Sequence, residues 1–367
     1  MSELSFQGED RVFVTGNEAV AWAAVSAGAD IMYGYPITPQ NEIMHYWTRL
    51  APKYGKKFLQ TEDELSAGFT TIGGVLTGKK AFSATAGPGT ILFQEPVSMA
   101  ELMRIPIVVV VQQRGGPSTA TVIYSQQEVN MVTYGGNGEG WRIVYSTANH
   151  QELYDYTIKA FDTAWRYRFP VFLLGDGYQA KMRESLIMYD PKERGMEITE
   201  PEAVLGQSGI PGIDRPASHL RNAFSVEEEL YEVLMPIQDK YEQISEKIVE
   251  CEMQDTKDAD IVIISHGVVS RAALAAKEKL REDGLKVGYF RPITLRPFPR
   301  EQLREVAARC SNILLVESAL GQLARLVKEA LFDMPIENFN TLFKPGVGIT
   351  AEDLIETVKA GWKGGGK

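Results

Sequence analysis

The hydrophobic and polar positions of the chain follow two periods, one typical of helices and one of buried strands. Gly16 to Ala27 has helical periodicity with small residues on one face, and Gln151 to Arg168 is amphipathic. Between them, Ile105 to Val111 is continuously apolar, and so is Val171 to Leu174 further along. Such runs are typical of strands covered by helices on both faces. Strands that alternate with helices predict an α/β fold with a doubly wound, mostly parallel sheet.

The same pattern divides the chain into three parts. With 367 residues, the chain is too long for one ordinary hydrophobic core. We expect one α/β domain over residues 1–190 and a second, smaller one over residues 256–362, where the apolar run IVIIS begins a new unit. The connecting segment, residues 191–255, is rich in Pro, Gly and charge. It ends in a helical stretch, Glu227 to Glu252, which we expect Pro236 to break.

Composition and charge argue against several classes of protein. The net charge is −10 and no basic patch is visible, so nucleic-acid binding is not expected. The longest apolar run is far shorter than the roughly 20 residues of a membrane span, and the N-terminus lacks the pattern of a signal peptide. We therefore expect a cytoplasmic protein. Its two cysteines, Cys251 and Cys310, are too few for a disulfide framework, an iron–sulfur cluster or a zinc site, and we expect no metal on this chain.

The candidate chemistry lies in Thr61 to Gly89, TEDELSAGFTTIGGVLTGKKAFSATAGPG. This pattern predicts a strand end, a helix that begins with acidic residues, a second strand, and a sharp turn at Gly87-Pro88-Gly89. Ligands in open α/β sheets bind beyond the carboxyl ends of such strands. Glu64, held there against a wall with almost no side chains, is a candidate to meet a flat heterocycle.

A purely structural explanation competes with that role for Glu64. Thr61-x-x-Glu64 matches a capping box, in which the glutamate only completes the start of a helix. Acidic residues in a first turn also suit the helix dipole, and this is the expected role of Glu62 and Asp63.

Two further motifs carry the same ambiguity. In Tyr35 to Pro39 (YPITP), Thr38 matches a helix N-cap and Pro39 the first helical position. Arg114 follows a buried strand and opens RGGPST. Its guanidinium is placed either to hold a carboxylate bidentately or to lie solvated in an ordinary Gly-Gly-Pro turn.

Four motifs, in this order, resemble those of the α chain of the 2-oxoacid:ferredoxin oxidoreductases, and most closely those of the 2-oxoglutarate type. They are YPITP at residues 35–39, the stretch at residues 61–89, RGGPST at residues 114–119, and FRPITLRPFP at residues 290–299. The resemblance extends from Gly16 to about Gly361. It implies a pyrimidine-binding domain, followed by a transketolase C-terminal-like domain, in a thiamine-diphosphate enzyme built from several chains.

The resemblance also implies roles for individual residues. Glu64 matches the glutamate that binds N1′ of the aminopyrimidine and activates the cofactor. Ile37 and Gly87 would line the cofactor beside it. Thr38 and Arg114 would bind the substrate, the arginine through the substrate carboxylate.

The partners follow from the resemblance as well. A β subunit would carry the diphosphate-binding domain with its Mg²⁺, and [4Fe-4S] clusters would lie on the β subunit and on a ferredoxin-like δ subunit or domain, with a γ subunit beside them. Ferredoxin would accept the electrons. Gly175-Asp176-Gly177 resembles the start of a diphosphate motif, but no asparagine follows near Glu200 to Leu205. We therefore interpret GDG as a strand-to-helix turn.

We expect the chain to be the α subunit of an oxidoreductase. The enzyme would convert a 2-oxoacid and coenzyme A into an acyl-CoA and CO₂, and 2-oxoglutarate is the favoured 2-oxoacid. Pyruvate and branched-chain 2-oxoacids remain alternatives. Ala120 to Asn130 (ATVIYSQQEVN) departs from the glycine-rich pattern expected of the oxoglutarate and branched-chain groups. An alternative of another class is a non-catalytic scaffold that docks partner chains, although the joint presence of Thr38, Glu64 and Arg114 argues against it.

Overall fold

The computed structural model of the protein describes residues 10–205 and 220–361, and its strands form three sheets. The strands are β1 Asp10–Thr15, β2 Ile31–Gly34, β3 Lys57–Gln60, β4 Ala81–Thr85, β5 Val108–Gln113, β6 Ile143–Ser146, β7 Val171–Asp176, β8 Arg183–Met188, β9 Cys251–Gln254, β10 Ile261–Ile264, β11 Val287–Pro292, β12 Thr294–Arg296, β13 Asn312–Glu317 and β14 Asn338–Phe343. The helices are α1 Gly16–Ser26, α2 Asn41–Leu50, α3 Glu64–Leu76, α4 Pro88–Leu92, α5 Gln94–Leu102, α6 Val129–Tyr134, α7 His150–Tyr167, α8 Gly177–Lys181, α9 Glu227–Ile248, α10 Val269–Glu282, α11 Arg300–Ala307, α12 Gln322–Ala330 and α13 Ala351–Gly361.

The largest sheet has seven strands in the order β12-β6-β7-β5-β4-β2-β3, and all of its pairs are parallel except β12 with β6. Its central strand β5 is buried along its whole length. Val108 and Val110 point into a core with α1, α2 and α7, whereas Val109 and Val111 point into a core with α3 and α5. Helices therefore cover both faces, which explains the continuously apolar sequence. The predicted doubly wound α/β class is confirmed.

The second sheet has five strands in the order β14-β13-β10-β11-β9, again parallel except at the edge strand β9. It shares a core with the seven-stranded sheet, since Val262 of β10 and Val111 of β5 belong to one hydrophobic cluster. Between β11 and β12 the chain passes from one sheet to the other, because β12 pairs with β6. The FRPITLRPFP motif is thus the place where the second unit adds a strand to the first.

One prediction about the connecting segment is wrong. Pro236 does not break the helix there, since α9 runs without interruption through it. Pro236 is exposed, so water can satisfy the carbonyl that loses its intrahelical partner. Ile237, Tyr241 and Ile244 pack into the core and hold the helix on the other side. Within the described ranges, no helix combines the length and the apolar character needed to cross a bilayer.

Candidate functional site

Four neighbouring strands bring the predicted site residues together. Strands β3, β2, β4 and β5 are adjacent and parallel, so the loops that follow them emerge at one edge of the sheet. Those loops carry Glu64 after β3, Ile37 and Thr38 after β2, Gly87 after β4 and Arg114 after β5. We call these five residues the Glu64 site.

The capping-box interpretation of Glu64 is wrong, because another acid caps the helix. Asp63 is the N-cap of α3, with extended backbone, and its carboxylate accepts a hydrogen bond from the backbone N–H of Ser66 at 2.7 Å. The hydroxyl of Thr61 donates to the carbonyl of Asp63 instead of capping. Glu62 is exposed. Glu64 is consequently the first helical residue and is not needed to complete the start of the helix.

The side chain of Glu64 is buried, with 6% of its surface exposed, and its carboxylate makes no hydrogen bond with another residue in the described part of the chain. Burial raises the pKa of this carboxyl group, an effect that the guanidinium of Arg114 opposes. Gly89 forms the wall beside it. A Cβ at this position would lie 2.6 Å from Oε1 of Glu64 and 2.2 Å from Oγ1 of Thr85, so only glycine allows this approach.

Arg114 is buried and not solvated, which excludes the simple turn interpretation. Only 4% of its surface is exposed, and its Nη1 and Nη2 donate to the carbonyls of Thr38 at 2.8 Å and Thr119 at 3.0 Å. Its Nε is buried without a partner. Gly87 has φ +54° and packs against this guanidinium, because a Cβ there would lie 2.7 Å from Nε. Arg114 therefore connects the loops that follow β2, β4 and β5.

The prediction that Thr38 caps α2 is wrong. The helix begins at Asn41, and Gln40 occupies the capping position without a side-chain bond. The carbonyl of Ile37 accepts bonds from the backbone N–H of Gln40 at 3.1 Å and of Asn41 at 3.0 Å. These bonds form a separate turn before the helix, and Thr38 lies in that turn, half-buried at the site.

Sequence reasoning missed Glu128, which lies beside the Glu64 site. Its carboxylate accepts hydrogen bonds from the backbone N–H groups of Gly87 and Arg114. A signal was present, since Glu128 is the acidic residue of Ala120 to Asn130, the segment that departs from the expected pattern.

The interpretation of Gly175-Asp176-Gly177 as a strand-to-helix turn is confirmed. Asp176 ends β7 and is the N-cap of α8, accepting bonds from the backbone N–H of Tyr178 at 2.8 Å and of Gln179 at 3.1 Å. Burial raises the pKa of its carboxyl group to about 7. Across residues 10–205 and 220–361, the His, Cys, Asp and Glu side chains form no group of three or more that could hold a metal ion.

Comparison with known proteins gives the class of the chain first. Residues 22–253 match the family model described as the thiamine-diphosphate-binding domain of pyruvate flavodoxin/ferredoxin oxidoreductases, and residues 259–354 match the pyruvate:ferredoxin oxidoreductase core domain II. A split-gene transketolase shares the fold, with a TM-score of 0.56 and 16% identity over 95% of this chain and 97% of that chain. The class is therefore that of thiamine-diphosphate-binding α/β proteins with a second α/β unit.

Individual relatives give the family. The ketoisovalerate oxidoreductase subunit VorB of Methanothermobacter marburgensis is 36% identical over 94% of this chain and 96% of its own length. The 2-oxoglutarate synthase subunit KorA of Methanothermobacter thermautotrophicus is 34% identical over 86% and 89%. The 2-oxoglutarate:ferredoxin oxidoreductase of Magnetococcus marinus, solved with 2-oxoglutarate, coenzyme A and succinyl-CoA bound, superposes with a TM-score of 0.83 and 25% identity. The match covers 96% of this chain and 65% of that longer chain.

The chain belongs to the 2-oxoacid:ferredoxin oxidoreductase family. Like the relatives named as subunits, it is one component of a multi-subunit oxidoreductase. These relatives include both ketoisovalerate and 2-oxoglutarate enzymes, so family membership alone does not identify the 2-oxoacid.

Proposed function

We propose that this chain is the α subunit of a 2-oxoacid:ferredoxin oxidoreductase that makes an acyl-CoA, and that it supplies the pyrimidine-binding half of the thiamine diphosphate site. One observation carries the proposal. The buried carboxylate of Glu64 faces a glycine wall at Gly89 and is left without a hydrogen bond to the described residues, although its own helix is capped by Asp63. A carboxylate that no other described residue satisfies is open to a donor from a ligand.

The residues present fit the flat aminopyrimidine of that cofactor. Gly87 and Gly89 let the turn after β4 lie directly against Arg114 and Glu64, so a backbone wall, the guanidinium and the carboxylate acceptor meet at one edge of the sheet. In this arrangement Glu64 would hold N1′ of the ring, and Ile37 and Gly87 would line it. When bound, the cofactor supplies a carbon nucleophile for the keto carbon of the 2-oxoacid.

Each side chain then has a distinct task. Because burial raises the pKa of Glu64, its carboxyl group is suited to share a proton with a ring nitrogen. Arg114 provides positive charge at the same edge of the sheet, which would attract a substrate carboxylate. Thr38, which Arg114 holds through the backbone carbonyl, lies next to that position and would contact the substrate.

The remaining parts of the reaction are assigned to partner chains. The carboxylate of Asp176 accepts bonds from the first backbone N–H groups of α8, and this supports placing the diphosphate and Mg²⁺ on a β subunit. The [4Fe-4S] clusters would lie on the β subunit and on a ferredoxin-like δ subunit beside γ, with ferredoxin as electron acceptor and coenzyme A as co-substrate.

Two substrate classes are candidates. The RGGPST motif favours the oxoglutarate and branched-chain groups alike, and 2-oxoglutarate is supported by the KorA relatives. A branched-chain 2-oxoacid is the second candidate, supported by the VorB relative and by the charge of the site. The described loops that carry Ile37, Thr38, Glu64, Gly87 and Glu128 contain one cation, Arg114. 2-Oxoglutarate has a second carboxylate, which would need a second cation to pair with it, whereas a branched-chain 2-oxoacid has only one carboxylate.

The experiment is reconstitution of the chain with its β, γ and δ partners. We expect the isolated chain to bind thiamine diphosphate and Mg²⁺ negligibly in calorimetry, and the complex to bind them and to reduce a viologen dye with coenzyme A and a 2-oxoacid. A panel of 2-oxoglutarate, 2-oxoisovalerate and pyruvate, ranked by kcat/KM, separates the candidates. Tight, Mg²⁺-dependent binding by the isolated chain would contradict the shared site. A complex that binds the cofactor but turns over no 2-oxoacid would favour the scaffold.

A further inference from the structure

Glu128 occupies a capping position but does not cap. It directly precedes α6, where a carboxylate would ordinarily accept bonds from the first backbone N–H groups of the helix. No such side-chain bond forms. Its side chain is buried, with 6% of its surface exposed, and is directed instead to the carboxyl edge of the seven-stranded sheet.

The carboxylate joins two loops of the Glu64 site. Oε1 accepts bonds from the backbone N–H of Gly87 at 2.7 Å and from the hydroxyl of Thr90 at 2.5 Å. Oε2 accepts a bond from the backbone N–H of Arg114 at 2.8 Å. One side chain therefore ties the turn after β4 to the loop after β5.

Those two loops form most of the site. The turn that begins at Gly87 places Gly89 against the carboxylate of Glu64. The loop that begins at Arg114 carries the guanidinium that holds the carbonyl of Thr38. If the two backbones separated, the glycine wall and the arginine would lose their fixed positions relative to each other.

A carboxylate at this position satisfies all three donors. An ionised carboxylate accepts bonds at both oxygens, whereas an amide would present an N–H₂ group to one of the backbone N–H groups. Burial raises the pKa of Glu128 to about 7, and the bonds from Thr90, Arg114 and Gly87 oppose that rise. The donors thus stabilise a charge that the interior disfavours.

The backbone next to Glu128 is anchored on the five-stranded sheet. The side-chain amide of Gln126 donates to the carbonyl of His266 at 2.8 Å and accepts from the backbone N–H of Ser318 at 2.9 Å. The backbone N–H of Gln126 donates to the carbonyl of Ser318 at 2.9 Å. Both partners follow strands of the second sheet, so Glu128 is held relative to both units.

We propose that Glu128 is a positioning residue: its carboxylate clamps the Gly87 turn to the Arg114 loop and so holds the glycine wall and the substrate-binding arginine in register. The effect on catalysis rests on the proposed function, whereas the clamp itself does not. Glu128 acts through Gly87 and Arg114 and does not touch the reacting atoms.

The test uses the assembled complex with Glu128→Gln, and with Glu139→Gln as matched control, because Glu139 is an exposed glutamate on the loop after the same helix. Amide hydrogen exchange is measured by mass spectrometry on peptides covering residues 86–93 and 113–120. We expect exchange to accelerate about 10-fold or more in the segment whose backbone N–H then faces the amide N–H₂ group of Glu128→Gln, and to stay unchanged in both segments of the control.

Steady-state kinetics provide the second readout. We expect KM for the 2-oxoacid to rise roughly 10-fold with a smaller change in kcat, because Arg114 is displaced while Glu64 is retained. A purely structural role would lower the melting temperature and leave KM of the folded enzyme unchanged. If Glu128→Gln does not assemble, Thr90→Val removes one donor without touching either loop backbone, and the same changes are expected on a smaller scale.

Each outcome decides one question. Wild-type exchange in both segments, together with wild-type KM, would overturn the clamp even if the complex is fully active. Accelerated exchange in a complex that oxidises no 2-oxoacid would support the clamp and overturn the proposed function.

Discussion

Two buried glutamates lie near the carboxyl ends of strands in the two larger sheets and behave differently. Glu64 follows β3 of the seven-stranded sheet, and Glu317 ends β13 of the five-stranded sheet. Glu64 is the first residue of α3 and Glu317 shortly precedes α12, and burial raises the pKa of both carboxyl groups. The carboxylate of Glu317 accepts bonds from the backbone N–H of Leu323 at 2.7 Å and of Ala324 at 3.2 Å. That of Glu64 makes none with the other described residues.

The difference lies in which residue satisfies the helix that follows. Glu317 is separated from α12 by a short loop, and its side chain extends to the first backbone N–H groups of that helix. At α3 this task falls to Asp63, one residue earlier, and the carboxylate of Glu64 accepts no bond from another described residue. A buried acid can therefore be fully structural or available to a ligand, depending on a single neighbouring cap.

The surroundings of the two glutamates differ less than their carboxylates do. The loops at the carboxyl end of the five-stranded sheet are closed by Gln126, which bonds to His266 and Ser318. Each edge also retains a buried nitrogen without a partner, Nε of Arg114 at the Glu64 site and Nε2 of His266 after β10. Of these two edges, we expect the cofactor at the one whose glutamate carboxylate accepts no bond from another described residue.

The largest effect expected from this comparison is that of Glu64→Gln. Gln can still bond to the pyrimidine but cannot act as a carboxylate, so we expect kcat to fall by about 10²–10⁴, as for a positioned acid–base group. The measurement is exchange of the thiazolium C2 proton with deuterium in the assembled complex before substrate is added, and it should be much slower. Glu62→Gln, an exposed acid in the same segment, is the control. If the C2 proton exchanges at the wild-type rate in Glu64→Gln, Glu64 is not the group that activates the cofactor.

Arg114→Lys is expected to have an intermediate effect. Lysine keeps the charge but loses the planar fork that holds Thr38 and Thr119. We expect kcat/KM for the 2-oxoacid to fall by roughly 10- to 100-fold, with cofactor affinity nearly unchanged, since a charge-assisted bond contributes about 1.5–3 kcal/mol. The control is Lys181→Arg, which also exchanges one cation for another but at a surface ion pair with Glu42, and it should leave kcat/KM unchanged. An unchanged kcat/KM would show that Arg114 only closes the loop.

The smallest effect is expected at the counterpart, Glu317→Gln. The amide keeps one acceptor and brings an N–H₂ group towards the N–H groups of α12, so we expect the free energy of unfolding to fall by about 1–2 kcal/mol. Denaturant unfolding of the complex measures this loss, and turnover per folded enzyme should stay at the wild-type value. Slower C2-proton exchange in this variant, with unchanged stability, would contradict the purely structural role of Glu317.

Several features of the molecule follow from the sequence alone. The apolar runs at Ile105 to Val111 and Val171 to Leu174 indicated buried parallel strands, because only strands covered on both faces tolerate such continuity. The position of Arg114 at a strand end, and the interpretation of GDG as a helix-starting turn, depend on residues close in the chain. Local backbone preferences are sufficient for statements of this kind.

The tertiary structure alone decided the rest. Of the three acids Glu62, Asp63 and Glu64, each is compatible with the helix dipole, and only the folded backbone selects Asp63 as the cap. Glu128 lies 41 residues from Gly87 and 14 from Arg114 along the chain, and no sequence period connects them. They meet because β4 and β5 are neighbours in the sheet order. Strand order is fixed by packing between distant segments, so the bonds that complete the site become visible only when the whole sheet is assembled.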